Sequence, residues 1–434
     1  MTAPVASPWD RRAATVLWPL AVGALAHAVL AAATGPARDL AILWRSAASL
    51  VGGGPLYDEG REFIYPPLAG WLLAPLSLLP FRAAVVVVVL TSAAALVAAL
   101  LLTVRLVGGR PGSAVTAGAL LLLAGSRPVT GLLDQGNVDL VLVLAEVCVI
   151  ALLLRRRDAA AGALLGLVCA VKPTLAPVVL ALLLLGRFRA LAATAATGAL
   201  ASAAGLLGVP DRTVFWTDVL PLLAGGNREV LDRYDRSLDG AADRFGLPPL
   251  LTLLLRAAVL ATACWVVWRR RDRPQAPLEA VPLLMLATLV ASSFTWANYS
   301  AYLLPLLATA GRRDSLVRGW PAWAGVYLFA TRDPWSVQGL PDGLAGVLAL
   351  WPLWGWLLLL GTCAVVAARP ADPAPPTPTR PTTTLPAGGD RTPTDGPHDR
   401  RHHDAQRSGP HHPDRRAPAR GRQRRRGGRS RPQV

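Results

Sequence analysis

The sequence predicts an all-α, polytopic integral membrane protein, and three observations carry that prediction. Of its 434 residues, 53% are apolar, and the mean hydropathy of +0.41 lies above the range of soluble globular chains. The apolar residues gather in long runs of Ala, Leu, Val and Gly, such as Ala83 to Val104 and Val138 to Leu154. Each run approaches the roughly 20 residues that cross about 30 Å of hydrocarbon, and only a helix satisfies its own backbone there. Arginines cluster between the runs, at Arg11-Arg12, Arg105 and Arg110, Arg155 to Arg157, Arg187 and Arg189, Arg269 to Arg273, Arg312-Arg313 and Arg369, as in cytoplasmic loops.

A formal charge of +17 raises the possibility of a nucleic-acid partner. The segment from Arg369 onward, with 15 arginines against 6 aspartates, carries +9 of it. About half of the excess therefore lies outside the apolar body, and no nucleic acid is expected as a partner. The four cysteines all sit inside apolar runs, which argues for small packing residues rather than a disulfide framework.

Residues 1–15 read as a cytoplasmic N-terminus, followed by a first span over Val16 to Thr34 that is retained rather than cleaved. If every arginine cluster is cytoplasmic, then 35–67, 127–137, a point near Lys172-Pro173, 210–247, 292–298 and 332–342 face outward. In the first outer loop, Leu40, Leu43, Ala47 and Leu50 share one helical face, so Ala41 to Val51 is expected as a surface helix, ended by Gly52-Gly53-Gly54-Pro55. The run 68–80 makes only roughly 20 Å of helix, too short to span, and is expected in the membrane plane or re-entering it.

Spans are expected at 83–104, 113–127, 138–154, 190–209, 248–268, 277–292, 298–311, 317–331 and 343–368. Between them, 159–186 reads as a hairpin broken at Lys172-Pro173. The total is about ten to twelve crossings over a transmembrane domain of residues 16–368. Residues 369–434, rich in Pro, Thr, Arg and His, read as a disordered cytoplasmic tail whose paired histidines bind metal only fortuitously.

The body holds one histidine, His27, in the first span, read as a packing or helix-contact residue. Histidine-based general-base chemistry and histidine metal sites are thereby disfavoured, leaving carboxylates as candidate bases and no metal or cofactor. Asp39, about five residues past the first span, is either a solvated boundary acid or a base whose pKa is raised where a dry interior meets water. Gln135, Asn137 and Asp139, before and at the start of a span, suit either hydroxyl recognition or helix capping. Lys172, the chain's one lysine, either snorkels to the interface or meets an anion such as a phosphate.

Several short patterns, in order, resemble glycosyltransferase family 87, whose members are integral membrane enzymes of the GT-C superfamily. They are Asp39-Leu40, Gly54-Pro55-Leu56-Tyr57, Tyr65-Pro66-Pro67-Leu68, Gln135-Gly136-Asn137-Val138-Asp139, Ala161 to Gly166 leading to Val171-Lys172-Pro173-Thr174, Ser237-Leu238-Asp239-Gly240, and Ser292 to Trp296 before Tyr299. Two departures stand beside them, Asp235-Arg236 where the family tends to have Asn-Gln and Ala297-Asn298 where a histidine often follows the tryptophan. The resemblance covers about residues 15–310.

It implies transfer of a sugar, mannose in the actinobacterial members, from a polyprenyl-phosphate donor to a lipid or cell-envelope glycan acceptor on the outer face of the plasma membrane. Inversion by an aspartate base falls on Asp39. Lys172, Arg61 or Arg244 would hold the donor phosphate, and Tyr57, Asp58, Tyr65, Gln135, Asn137, Trp296 and Tyr299 would shape the sugar and acceptor pocket. A lipid-linked-sugar transporter and a non-catalytic envelope scaffold are the alternative readings.

Overall fold

In a computed structural model the described residues are 7–57, 62–221, 235–331 and 340–369, all within one compact unit that runs from Met1 to Ala371. Most of them are helical, with no strand among them. Ser7 starts α1 (Pro8–Thr34) by accepting the Asp10 amide on its hydroxyl at 3.1 Å, with Pro8 inside the first turn. The Asp10 carboxylate accepts the amide of Ala114 at 3.0 Å, tying α1 to the start of α5 (Ala114–Gly125). Ala21, Ala28 and Ala32 form the buried, small-residue face of α1. Val16, Leu20, Val22 and Leu30 are exposed, a placement stable only against lipid. His27 lies on that exposed side rather than in a helix contact.

The expected surface helix is α2 (Arg38–Val51), with Leu40, Leu43, Ala47 and Leu50 all buried on its inner face. It packs on α3 (Pro67–Ser77), 11 residues long and too short to cross alone. α4 (Phe81–Leu106) is a full span, as expected. The run expected as one span over 113–127 ends at Ser126, where the chain bends by 54° into α6 (Arg127–Asp134). Pro128 in the first turn of α6 explains the break, since proline lacks the N–H that a continuing helix needs.

α7 (Asp139–Leu154) is buried along most of its length. The hairpin breaks where expected, between α8 (Asp158–Val171) and α9 (Val178–Leu184), because Pro173 drives Lys172 into an extended conformation (φ −150°, ψ 114°). α10 (Phe188–Leu206) lies so close to α8 that a Cβ on Gly162 would sit 2.0 Å from the Ala190 carbonyl oxygen.

Later come α11 (Leu238–Phe245), α12 (Pro249–Arg270) and α13 (Ala276–Ala291), the last buried at nearly every position. A buried bidentate pair joins Arg270 to Glu279 at 2.6 and 2.8 Å across the α12–α13 turn. The span expected at 298–311 is instead a 3₁₀ segment, Ala297–Leu303, running into a five-residue α-turn, Leu304–Ala308. Pro305 interrupts the α-helical ladder there. The span expected at 343–368 is split at Leu350 into Asp342–Ala349 and Trp351–Ala368, with Pro352 in the first turn of the second piece.

Among the described residues, four single helices are long and apolar enough to cross a membrane, five if the bent α5–α6 pair counts as one. The crossings expected from hydropathy are thus not that many continuous rods, since prolines and polar turns divide the apolar runs.

Candidate active site

The site grows from two helix starts and one tight turn. Asp39 lies in the first turn of α2, whose preceding residue, Ala37, is left-handed (φ 44°). The α6–α7 turn presses on this point, with the Leu40 amide donating to the Gln135 carbonyl at 3.2 Å. Gly136 makes the approach possible: its φ is +66°, and a Cβ there would meet Leu40 Cβ at 2.8 Å and Ala37 Cβ at 3.2 Å.

The next residue, Asn137, is buried and uses both ends of its amide. Its oxygen accepts the Asp139 amide at 2.9 Å as α7 begins, while its Nδ2 donates to the Asp39 carboxylate at 2.7 Å. Of the two roles left open by the sequence, hydroxyl recognition and helix capping, the bond to the Asp139 amide at the start of α7 matches the second, and the same side chain also holds Asp39. Burial pushes the Asp39 carboxyl above the ordinary carboxylate value and Asp139 adds to that, while the Asn137 hydrogen bond and the Lys172 charge pull it back.

Behind Asp39 lies a buried ionic node. Asp139, fully buried, accepts Lys172 Nζ at 2.7 Å and the Tyr302 hydroxyl at 2.7 Å. The Lys172 ammonium sits over the Tyr65 and Tyr299 rings, 5.1 and 5.3 Å from their centroids. The 3₁₀ geometry brings Tyr299 and Tyr302, three residues apart, to one edge of their segment, so both reach this node. Lys172 therefore neither snorkels nor stands open to an incoming anion.

In front of Asp39 is a cavity of about 380 Å³. Arg38 and Asp39 line it from α2, Arg127, Thr130, Gly131, Asp134 and Gln135 from α6 and its end, and Trp296, Ala297 and Asn298 from the opposite wall. Asn298 sits directly against Gly131, where a Cβ would lie 2.5 Å from its amide oxygen. The segment carrying Trp296 is pinned by Asp235, whose carboxylate accepts the amides of Ser237 at 2.8 Å and Thr295 at 3.0 Å. The Asp235-Arg236 departure thus serves to hold this wall in place.

Of the residues singled out from sequence, Asp39, Gln135 and Trp296 line the cavity, and Asn137, Tyr65, Tyr299 and Lys172 form or abut the polar layer behind it. Tyr57 does neither: it is buried, donates its hydroxyl to the Tyr65 carbonyl at 2.9 Å, and packs on Phe63 and Phe215. The Asp211 carboxylate holds that strand of chain through the amides of Leu56 at 2.9 Å and Tyr57 at 2.6 Å. Tyr57 therefore supports the backbone that carries Tyr65 instead of facing a sugar. Arg244 is in the last turn of α11, alongside Gly346, and does not line the cavity. Asp58 and Arg61 lie outside the described residues.

Sequence reasoning missed Arg38, Arg127 and Asn298 as cavity residues. For Arg127 the signal was present, since Ser126-Arg127-Pro128 is a helix-start pattern inside an outward segment. Among the described residues no three His, Cys, Asp or Glu side chains come together.

Comparison with known proteins follows the same outline. The model of glycosyltransferase family 87 matches residues 63–293. An alpha-(1->3)-arabinofuranosyltransferase of Mycobacterium tuberculosis is 30% identical over 82% of this chain and 86% of its own. The Corynebacterium glutamicum protein of the same name is 27% identical over 82% and 88%. A polyprenol-phosphate-mannose-dependent alpha-(1-2)-phosphatidylinositol pentamannoside mannosyltransferase of M. tuberculosis is 29% identical over 80% and 87%. No solved structure matches the chain significantly.

Proposed function

The chain belongs to glycosyltransferase family 87, and from that membership we propose that it moves a sugar from a polyprenyl-phosphate donor to a hydroxyl of a lipid or cell-envelope glycan, with Asp39 as general base. The membership and the multi-pass apolar helices make it a membrane glycosyltransferase. The observation that carries the assignment of the base is the Asp39 carboxylate, held 2.7 Å from Asn137 Nδ2 on the wall of a cavity that it shares with Arg38, Arg127, Asp134 and Trp296. Burial raises the Asp39 carboxyl above the ordinary carboxylate value, which makes it a better proton acceptor than a fully solvated one.

In the step, the acceptor oxygen attacks the anomeric carbon as its proton passes to Asp39. The bond from that carbon to the phosphate oxygen breaks, its electron pair leaving with the phosphate, and attack from the opposite face inverts the centre. The reaction is placed on the extracytoplasmic face of the plasma membrane, with both termini cytoplasmic, on the strength of the arginine clusters.

The donor sugar is arabinofuranose in this reading, the sugar in the names of the M. tuberculosis and C. glutamicum relatives that each cover 82% of this chain. Mannose, which the sequence motifs suggested, is the second reading, supported by the mannosyltransferase that matches over 80% of it. The test is transfer of labelled sugar from polyprenyl-phosphate-arabinofuranose or polyprenyl-phosphate-mannose into membrane lipid and glycan extracts, comparing wild type with Asp39→Asn at equal folded yield. Transfer that falls by about 10²–10⁴-fold in the variant supports the assignment. Wild-type activity in Asp39→Asn removes Asp39 as base. Movement of intact donor across vesicles without cleavage of its sugar–phosphate bond supports a transporter instead.

A further inference from the structure

The reaction changes where charge sits. The donor is a phosphodiester with one negative charge, and the leaving lipid phosphate is a monoester that approaches two, its second pKa lying near about 6. Asp39 goes the other way, from carboxylate to carboxylic acid. The site must therefore carry cations that meet the phosphate as it departs. Lys172, the natural choice from the sequence, is committed: it neutralises the buried Asp139 at 2.7 Å, and drawing it away would strand that carboxylate without its counter-charge.

Two other cations line the cavity itself. Arg38 and Arg127 are the first residues of α2 and α6, and neither helix start receives a side-chain cap, so N–H groups and positive helix ends accompany both guanidiniums. Arg127 lies over the Trp351 ring, 5.7 Å from its centroid. On the facing wall, the Trp296 side chain lines the cavity while its indole Nε1 is turned away from solvent. Asp39 and Asp134 share the cavity with the arginines, which suits a ligand whose charge rises only as Asp39 is neutralised.

We infer that Arg38 and Arg127 form the binding site for the phosphate of the lipid-linked donor and take up the charge it gains as the sugar leaves. This rests on the glycosyl-transfer reading. It assigns the phosphate to the front of the cavity and leaves Lys172 as a positioning residue that acts through Asp139 and Asn137.

The experiment measures binding of polyprenyl phosphate and of the intact donor to wild type, Arg38→Gln, Arg127→Gln and Arg127→Lys in lipid nanodiscs. Arg189→Gln, an exposed arginine in the first turn of α10, is the control. Expected is a loss of product affinity of about ten-fold or more in each Arg→Gln variant, the scale of one charge-assisted hydrogen bond, with partial recovery in Arg127→Lys. The loss is larger for polyprenyl phosphate than for the donor, since the charge is higher, whereas a merely unfolded site would weaken both alike. Inorganic phosphate and phosphatidylglycerol are added as competitors; a phospholipid that competes as well as polyprenyl phosphate makes this a general headgroup site and overturns the assignment. Wild-type affinity in both Arg→Gln variants while wild type transfers sugar also overturns it and leaves the glycosyl-transfer reading standing. No polyprenyl-phosphate binding and no transfer by wild type remove both.

Discussion

Substituting Lys172→Met tests whether the buried node is structural in the way its geometry implies. The ammonium lies 2.7 Å from a carboxylate whose side chain is 0% exposed, and its own side chain is only 10% exposed. At an effective dielectric constant near 20, their attraction is about 6 kcal/mol, most of it offset by the cost of taking both ions out of water. Removing one partner leaves the other buried and charged, a loss of about 3–5 kcal/mol in comparable pairs. Asp139 keeps the Tyr302 hydroxyl and so belongs toward the lower end of that range. Methionine follows the aliphatic stem of lysine closely, so lost packing contributes little. Reversible unfolding in mixed micelles is the assay, with Lys172→Met/Asp139→Asn beside the single variant. The single variant should lose about 3 kcal/mol and the double, which has no charge to strand, should recover at least half of it. A loss below about 1 kcal/mol in the single variant would show that water or another cation already serves Asp139, and the argument that keeps Lys172 from the donor phosphate would fail with it.

Other outcomes follow from the same contacts. Since the ordinary Asp39 value of 3.8 is raised by burial and pulled back by Asn137, transfer should rise with pH as the base ionises, and Asn137→Leu should move that acidic limb to higher pH; a profile whose limb moves down contradicts the hydrogen bond's role. Gly136→Ala adds a side chain at φ +66° that runs into Leu40 and Ala37, so it should cost about 1–2 kcal/mol for the left-handed backbone and ~1–3 more for crowding, with loss of transfer as Asn137 leaves Asp39. Asp211→Ala withdraws the acceptor from the amides of Leu56 and Tyr57 and should lower unfolding stability by about 2–3 kcal/mol, whereas an unchanged midpoint would mean that solvent replaces the carboxylate.

Much of the fold was legible because it depends on short-range rules. Hydropathy runs gave α1, α4 and α12, helical spacing gave the buried face of α2, and Pro173 marked the break after Lys172. Where these readings failed, the cause was also local but weaker: Pro128, Pro305 and Pro352 divide runs that average as apolar over a window of span length. The site was legible only in part. Asp39 and Asn137 stand out by their type and their place at helix starts, yet nothing local says that they meet, 98 residues apart, or that Asn137 serves two partners at once.

By itself, then, the sequence determined a polytopic helical membrane body and an acid at the end of its first span, because transfer into hydrocarbon is decided residue by residue. Tertiary structure alone decided the rest. Lys172 is matched to Asp139, 33 residues away, and Asp139 to Tyr302, 163 residues away, so that the one lysine lies behind the cavity and two arginines at helix starts lie within it. Charges in an apolar body must find partners, but which partners they find depends on which helices pack closely enough to offer them, and that closeness is set by glycines and bends that act between distant segments.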